Sequence, residues 1–167
     1  NMVRAVSQDK QGRIWIGTDQ DGIDILDKKT GEVRQLRNKA GDERSLQNNT
    51  VMVLYEDSSE TMWVGTYKKG ISYFNECAFK FGAEYIGDIS CIEEDKEGYV
   101  WLGTNDVGII YWNSVTGNRA AFPQKGTDKL ITDAIVCILK ASDGKLWIGT
   151  LGGGLICYDN GRIIHYK

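Results

Sequence analysis

The sequence predicts an all-β protein made of four repeated units, each with four short antiparallel strands. A tetrapeptide of Trp, an aliphatic residue, Gly and Thr recurs four times, at intervals of 38 to 48 residues. Glycine is abundant (20 residues) whereas proline occurs once, which indicates many tight turns between extended segments. No window shows the periodicity of an amphipathic helix. Four strands in a repeat of about 40 residues is typical of a blade, so we expect a β-propeller fragment with four four-stranded antiparallel blades.

The tetrapeptide keeps a fixed register with its flanking residues. Its copies are Trp15-Ile16-Gly17-Thr18, Trp63-Val64-Gly65-Thr66, Trp101-Leu102-Gly103-Thr104 and Trp147-Ile148-Gly149-Thr150. A second glycine lies seven residues after each Trp, at Gly22, Gly70, Gly108 and Gly154. In three of the four copies an aspartate lies six residues before the Trp and a turn glycine three residues before it; Ala141 and Glu60 are the exceptions. This register places the blades at about 1–37, 48–86, 87–123 and 132–167.

Each unit contains four extended runs. The first run is apolar, at 3–7, 51–55, 89–92 and 135–139, and an Asp/Gly turn joins it to the Trp run. A three-residue loop leads to a third run that starts at the second glycine. A turn such as 27–31 then precedes a weaker fourth run, as at 32–36 or 162–166. Short runs bounded by Gly, Asp and Asn predict β-hairpins.

We interpret the repeated residues as structural. Each Trp offers a flat surface that fills the gap between neighbouring blades. The glycine two residues later adds no side chain to the same strand face, so that an adjacent blade can approach. These residues are Trp15, Gly17, Trp63, Gly65, Trp101, Gly103, Trp147 and Gly149. The second glycine allows the tight turn into the third strand, and the aspartate caps its turn by accepting hydrogen bonds from backbone N–H groups.

The four cysteines form no Cys-x-x-Cys pair, which does not favour a zinc or redox motif. Cys91 and Cys137 fall in the first strand, at the position of Ala5 and Val53 in the other units. A position that holds Ala, Val and Cys predicts a small buried apolar site. We therefore expect free buried thiols, with a disulfide between adjacent blades as the alternative.

The repeat resembles the two-component regulator propeller repeat. The resemblance is carried by Asp-x-x-Gly-x-[Ile/Leu]-Trp-Ile-Gly-Thr-x-x-x-Gly and by the lead-in Ser45-Leu46-Gln47-Asn48-Asn49-Thr50-Val51, and it covers essentially the whole chain. It departs at Glu60, at Ala141, and at Gly87, where the other units have Asn or Asp. The family implies the periplasmic sensor region of a Bacteroidetes-type hybrid two-component system, with a membrane helix and a histidine kinase elsewhere in the protein. It also implies sensing of oligosaccharides, and that this chain is excised from a larger sensor.

Composition excludes several other functions. The net charge is −3, with 20 basic and 23 acidic residues and no basic block, so we expect no nucleic-acid partner. No apolar stretch approaches the roughly 20 residues that span a bilayer, so we expect no membrane contact. The single histidine, His165, falls in a fourth strand where we expect it to be exposed, which does not favour a Ser-His-Asp triad. Asp19, Asp21 and Asp24 lack the spacing of an EF-hand. We therefore predict no catalytic residue, no metal and no cofactor.

A ligand site is expected on the loops between the second and third strands. These loops and the lead-ins to each first strand, such as 48–49 and 132–133, should emerge on one face of the propeller. Saccharides are bound by aromatic faces together with amide, carboxylate and basic groups. The candidates are Gln20, Asp21, Tyr67, Lys69, Asn105 and Asp106. The alternative is that these are ordinary solvated loop residues.

The sequence therefore predicts a non-enzymatic sensor segment that binds or helps to sense a ligand and passes the signal to a histidine kinase. Two alternatives remain open, a quinoprotein-like propeller enzyme and a protein-interaction scaffold. The expected partners are the rest of the parent propeller and a second copy of the chain. Four blades leave two apolar faces uncovered, and repeat units bury their cores only against neighbours.

Overall fold

The computed structural model describes residues 2–75, 80–113, 116–122, 134–159 and 161–166. Within these ranges the chain forms sixteen strands in four four-stranded antiparallel sheets. The described residues contain no helix long and apolar enough to cross a bilayer. The chain divides into two compact units, Asn1–Ile89 and Ser90–Lys167.

The first unit contains two sheets whose strands follow chain order. Sheet 1 consists of β1 (Val3–Gln8), β2 (Ile14–Thr18), β3 (Ile23–Leu26) and β4 (Val33–Leu36). Sheet 2 consists of β5 (Val51–Glu56), β6 (Met62–Thr66), β7 (Gly70–Asn75) and β8 (Lys80–Glu84).

The remaining strands also form two sheets in chain order. Sheet 3 consists of β9 (Ile89–Glu94), β10 (Tyr99–Thr104), β11 (Ile109–Asn113) and β12 (Arg119–Phe122). Sheet 4 consists of β13 (Ile135–Lys140), β14 (Leu146–Thr150), β15 (Gly154–Asp159) and β16 (Arg162–Tyr166). The predicted all-β class with four four-stranded antiparallel sheets is confirmed, whereas the boundaries drawn for the blades stay a prediction.

The core of the first unit lies between its two sheets. Side chains alternate between the faces of a strand, and the register pairs Trp15 with Ile25 on one face of sheet 1. This face packs against Leu54 and Val64 of sheet 2. The ring of Trp15 lies 5.9 Å from that of Phe74. Trp15 is therefore buried between two sheets, the position expected of a residue that fills the gap between blades.

The second unit repeats this packing. Trp101 and Ile109 of sheet 3 join Ile138, Ile148 and Ile156 of sheet 4 in one buried cluster. Aromatic contacts continue across the two sheets. The ring centroids of Trp101 and Phe122 lie 5.2 Å apart, and those of Phe122 and Tyr158 lie 4.7 Å apart.

Trp147 lies on the face of sheet 4 opposite to the one that carries Ile148 and Ile156. It is half-buried and its ring lies 5.6 Å from Tyr166 of the same sheet. The register places Leu139 and Ile164 on this face, and both are exposed. No described sheet of this unit covers the face, so Trp147 packs within its own sheet rather than between two sheets.

The glycine of the tetrapeptide lies where a neighbouring strand crosses its sheet. A Cβ added to Gly17 would lie 2.6 Å from Cγ1 of Val51, and one added to Gly103 would lie 2.8 Å from Cγ2 of Ile135. Both distances are too short for real carbon contacts. Among the described residues, Gly149 has no neighbour from another sheet, and a Cβ added there would meet the side chain and carbonyl oxygen of Cys137.

The cysteine prediction is partly wrong. Cys91, Cys137 and Cys157 are free thiols, but only Cys157 is buried; Cys91 is half-buried and Cys137 is exposed. The reason is packing. Ile135 packs over the Gly103–Cys91 pair, whereas no described strand covers Cys137 and Gly149. Cys77 lies outside the described residues.

The repeated aspartate binds the indole of its own unit as well as the turn. Oδ2 accepts a hydrogen bond of 2.8 Å from Nε1 of the Trp six residues later, in the pairs Asp9–Trp15, Asp57–Trp63 and Asp95–Trp101. Oδ1 accepts backbone N–H groups of the turn, for example from Thr61 at 2.9 Å. Burial opposes ionisation of Asp9, but hydrogen bonds from Trp15 and Arg13 outweigh it and hold the pKa of this carboxyl below its usual value. The turn cap was predicted from the sequence but the indole bond was not, and the fixed spacing of six residues between Asp and Trp is its signal.

Candidate ligand-binding loop face

The threonine of the tetrapeptide fixes the loop between the second and third strands. Its Oγ1 donates a hydrogen bond to the carbonyl oxygen of the second glycine in all four sheets, at 2.8 to 3.1 Å. In the first loop the same oxygen accepts the backbone N–H of Asp21 at 3.2 Å. Gly22 has φ of +78° and lies against the carbonyl oxygen of Leu36, which explains why only glycine suits this position. The recurrence of Thr four residues before Gly in every unit is the sequence signal for this hydrogen bond.

In the first unit the lead-in 48–50 joins two of these loops. The backbone N–H of Gly22 donates to the carbonyl oxygen of Asn49 at 2.8 Å, and that of Tyr67 donates to Thr50 at 3.0 Å. Nδ2 of Asn48 donates to the carbonyl oxygen of Tyr67 at 3.0 Å. The loops 19–21 and 67–69 therefore lie at one end of the unit, as the sequence predicted. We call the segments 19–21, 48–50 and 67–69 the loop face.

Two carboxylates of the loop face are paired with arginines. Nη2 of Arg4 lies 2.9 Å from Oδ2 of Asp19, and this hydrogen bond lowers the pKa of Asp19. Nη2 of Arg37 lies 3.5 Å from Oδ1 of Asp21, one of the six candidates. Both aspartates are thus partly neutralised by side chains of the same unit, and among the described residues no group of three His, Cys, Asp or Glu is placed to hold a metal ion.

The loop tips carry strained backbone. Gln20 has φ of +84° and Lys68, at the same position of the second loop, has φ of +55°. The fourth loop has Gly152 there, with φ of +82°. Residues other than Gly, Asn and Asp seldom adopt this backbone conformation, and such strain often accompanies function. Gln20 is exposed at this loop tip.

Tyr67 and Lys69 give the loop face an aromatic ring and an exposed cation. Tyr67 is 42% exposed and Lys69 is exposed. Nζ of Lys68 lies 5.0 Å from the centroid of the Tyr67 ring, and their hydrogen bond raises the pKa of Lys68.

The other two candidates belong to the second unit. Asn105 and Asp106 are exposed in the loop that follows Thr104. The corresponding loop of sheet 4 is tied to its lead-in by a hydrogen bond from the N–H of Leu151 to the carbonyl oxygen of Ala134, at 2.9 Å. The predicted lead-in at 132–133 lies outside the described residues. The six candidates thus comprise four residues of the first unit and two of the second, and their role as ligand contacts stays a prediction.

Three concavities of the first unit are lined by other residues. The smallest, about 30 Å³, lies beside Asp9 and Glu56, and burial raises the pKa of Glu56. The other two, about 450 and 270 Å³, lie along β4 and meet at Arg34. None of the three includes a candidate. His165 is exposed on β16, as expected.

The fold and the repeated loops define a β-propeller built from short sequence repeats. Four segments, 1–20, 45–68, 86–106 and 129–152, match the two component regulator propeller family and together make up more than half of the chain. The chain belongs to this family, which confirms the resemblance noted in the sequence. No curated protein matches the chain.

Solved structures with the same fold come from several different proteins. The extracellular domain of a putative hybrid two component system from B. thetaiotaomicron is 21% identical over 100% of this chain, with a TM-score of 0.85. Virginiamycin B lyase from Staphylococcus aureus is 16% identical over 99% of the chain, with a TM-score of 0.76, and U3-55K is 10% identical over 98%, with a TM-score of 0.75. This chain spans 25%, 55% and 51% of those proteins, respectively. At these identities the likeness establishes the propeller fold alone.

Proposed function

We propose that this chain is a non-catalytic, extracytoplasmic sensing segment that binds an oligosaccharide at the loop face. The observation that carries the proposal is the joining of two loops by the lead-in 48–50, within a chain that belongs to the two component regulator propeller family. The hydrogen bonds among the three segments pre-order the surface, and pre-ordering lowers the entropic cost of binding. Gln20, Tyr67 and Lys69 supply the amide, aromatic and basic groups that saccharide recognition uses.

The proposed place in signalling follows from the family. The segment would lie in the periplasm, as part of a hybrid two-component protein anchored in the inner membrane, and would report ligand binding to a histidine kinase domain of that protein. A propeller enzyme, such as a quinoprotein, and a protein-interaction scaffold are the alternatives. Quinone absorbance in the purified protein would favour the first, and a protein partner with no saccharide binding would favour the second.

Calorimetry with a panel of neutral oligosaccharides tests the proposal. One of them should bind, and Tyr67→Ala and Lys69→Gln should each weaken binding about tenfold, the loss expected for one stacking or charged contact. Lys28→Gln is the matched control for Lys69→Gln, because Lys28 is an exposed lysine in the turn at the opposite end of sheet 1. Equal effects of Lys28→Gln and Lys69→Gln, or no binding by any saccharide, would overturn the assignment.

We also propose that the chain forms a homodimer through its terminal sheets. In each unit the sheet face that carries Trp15 or Trp101 packs against the next sheet, on the face of that sheet that does not carry its own motif Trp. No described sheet of the second unit packs on the Trp147 face of sheet 4, and Leu139 on it is 60% exposed. The opposite face of sheet 1 carries Val6 and Val33, both exposed, and no described sheet of the first unit packs on it.

Sheet 1 of a second copy therefore offers the kind of face against which a Trp face packs. Sedimentation velocity should show a dimer, and Leu139→Lys should shift it to a monomer, with Lys140→Gln on the same strand as the control. A monomer for the unmodified chain at high concentration would disprove the dimer without affecting the loop-face proposal.

A further inference from the structure

A basic groove runs along β4, beside the linker that leads from sheet 1 to sheet 2. Its volume is about 270 Å³. Four cationic side chains line it: Arg34, Arg37, Lys39 and Arg44. Asp42 is the one acidic residue in its lining. The groove therefore has a formal excess of three positive charges in a chain whose net charge is −3.

The linker that forms one wall of the basic groove is held in place by its own hydrogen bonds. Nδ2 of Asn38 donates to the carbonyl oxygen of Leu46 at 2.6 Å. Oγ of Ser45 accepts the backbone N–H of Lys39 at 2.9 Å and donates to the carbonyl oxygen of Asp42 at 2.7 Å. These bonds close the segment into a compact turn, so the backbone that carries the cationic side chains of the linker is held in place.

The floor of the groove is apolar. Leu46 is 0% exposed, Phe74 is buried, and Leu36 lines the same surface from β4. An apolar floor beneath a basic rim suits a ligand that combines C–H surface with anionic groups.

The basic side chains are poorly neutralised by the protein. Among the described residues, Arg34, Lys39 and Arg44 form no ion pair, and all three are exposed. The carboxylate of Asp42 accepts the backbone N–H of Arg44 at 3.0 Å. Arg37 makes a long contact to Asp21, at 3.5 Å. Like charges held close together repel one another, and an anionic ligand relieves this repulsion.

We infer that the basic groove binds the carboxylate or sulfate groups of an acidic saccharide. Guanidinium groups bind such anions through two parallel hydrogen bonds, and these charge-assisted bonds are stronger than neutral ones. Binding of the anion rests on the groove alone. The saccharide as its carrier rests on the proposed function, and the Arg37–Asp21 pair places the groove next to the loop face.

Calorimetry on the whole chain tests the inference with four probes: a sulfated disaccharide, its unsulfated counterpart, a hexuronic acid disaccharide and inorganic sulfate. At least one acidic disaccharide should bind at least tenfold more tightly than the unsulfated sugar, and more weakly as salt is raised. Arg34→Gln and Arg44→Gln should each reduce that affinity about tenfold. Arg162→Gln, an exposed arginine of β16, is the matched control and should leave the affinity unchanged.

The outcomes separate the inference from the proposed function. An equal loss with Arg162→Gln would mean nonspecific attraction, and no binding of any anion would leave the groove without a ligand; either result overturns the inference. Binding of inorganic sulfate without either acidic disaccharide would overturn the saccharide part. If neutral saccharides bind through Tyr67 while the groove binds nothing, the inference fails and the proposed function stands. If acidic saccharides bind through Arg34 and Tyr67→Ala has no effect on any sugar, the loop face fails and the groove stands.

Discussion

The indole N–H of Trp63 donates a hydrogen bond of 2.8 Å to Oδ2 of Asp57, a residue that is 1% exposed. Oδ1 of the same carboxylate accepts the backbone N–H groups of Ser59 and Thr61, both at 2.9 Å. One side chain therefore closes the turn between β5 and β6 and fixes the largest side chain of the sheet. The same arrangement recurs at Asp9 and Asp95.

Asp57→Ala should lower the free energy of unfolding by about 2–4 kcal/mol, because it leaves two buried donors, the indole N–H of Trp63 and the backbone N–H of Thr61, without an acceptor. Urea denaturation measures the change. Asp143→Ala is the control, since Asp143 is an exposed aspartate of the corresponding turn in sheet 4 and should change stability by less than about 0.5 kcal/mol. Similar losses for the two variants would contradict a special role for the buried carboxylate.

Ala141→Asp should stabilise the second unit by about 1 kcal/mol. The fourth sheet keeps the turn, with hydrogen bonds between Ala141 and both Gly144 and Lys145, but has no carboxylate for the indole of Trp147. An aspartate there would restore the acceptor found in the other three sheets. This reason is supported if the melting temperature rises in Ala141→Asp but not in the double variant Ala141→Asn with Trp147→Phe. A lower melting temperature in Ala141→Asp would refute it.

Gly17→Ala should cost about 1–3 kcal/mol, the usual effect of overpacking a core. The added methyl would lie 2.6 Å from Cγ1 of Val51, which is buried. Gly149→Ala is the matched control, because its methyl would meet mainly the exposed and movable side chain of Cys137. Thermal denaturation should show the larger loss for Gly17→Ala, and the reverse order would show that the close approach of strands does not explain this glycine.

Glu60→Gly should raise stability by about 0.5–1 kcal/mol. Glu60 has φ of +62° at the position where the other three turns have glycine, so the substitution removes backbone strain. The side chain also accepts a hydrogen bond from Nε2 of Gln11 at 3.1 Å, on the exposed surface. Glu60→Ala removes that bond and keeps the strain, and should therefore be no more stable than the unmodified protein. If both variants are equally stable, the strain is not the cause.

Cys137 should react with iodoacetamide faster than Cys91. Cys137 is exposed, whereas burial raises the pKa of the Cys91 thiol from 9.0 to about 11. At pH 8 only about one Cys91 in a thousand would carry the reactive thiolate. Mass spectrometry in a Cys77→Ser background measures the order of modification, and equal rates would contradict it.

The same shift predicts a pH dependence of stability. The folded state holds the proton of Cys91 more tightly than the unfolded state, so the free energy of unfolding should fall as pH rises from about 9 to about 11. Comparison with Cys91→Ala isolates this contribution, because the other groups that titrate in this range are the same in both proteins. Parallel curves for the two proteins would show that the thiol does not contribute.

The repeat spacing of Trp, Gly and Asp was enough to predict sixteen strands, their order within each sheet and the family, because side-chain alternation and tight turns are local properties of a sequence. Local reasoning also predicted that the loops 19–21 and 67–69 lie at one end of the first unit, whereas their role in ligand binding stays a prediction. It did not find the basic groove, since Arg34, Arg37, Lys39 and Arg44 are separated by acidic and neutral residues and no basic block is visible along the chain. Only the packing of the linker onto β4 and Phe74 brings them together. Likewise, whether a motif residue is covered depends on the next sheet. Trp15 and Trp101 are buried between two sheets, whereas Trp147, in the same tetrapeptide, is half-buried and Cys137 is exposed.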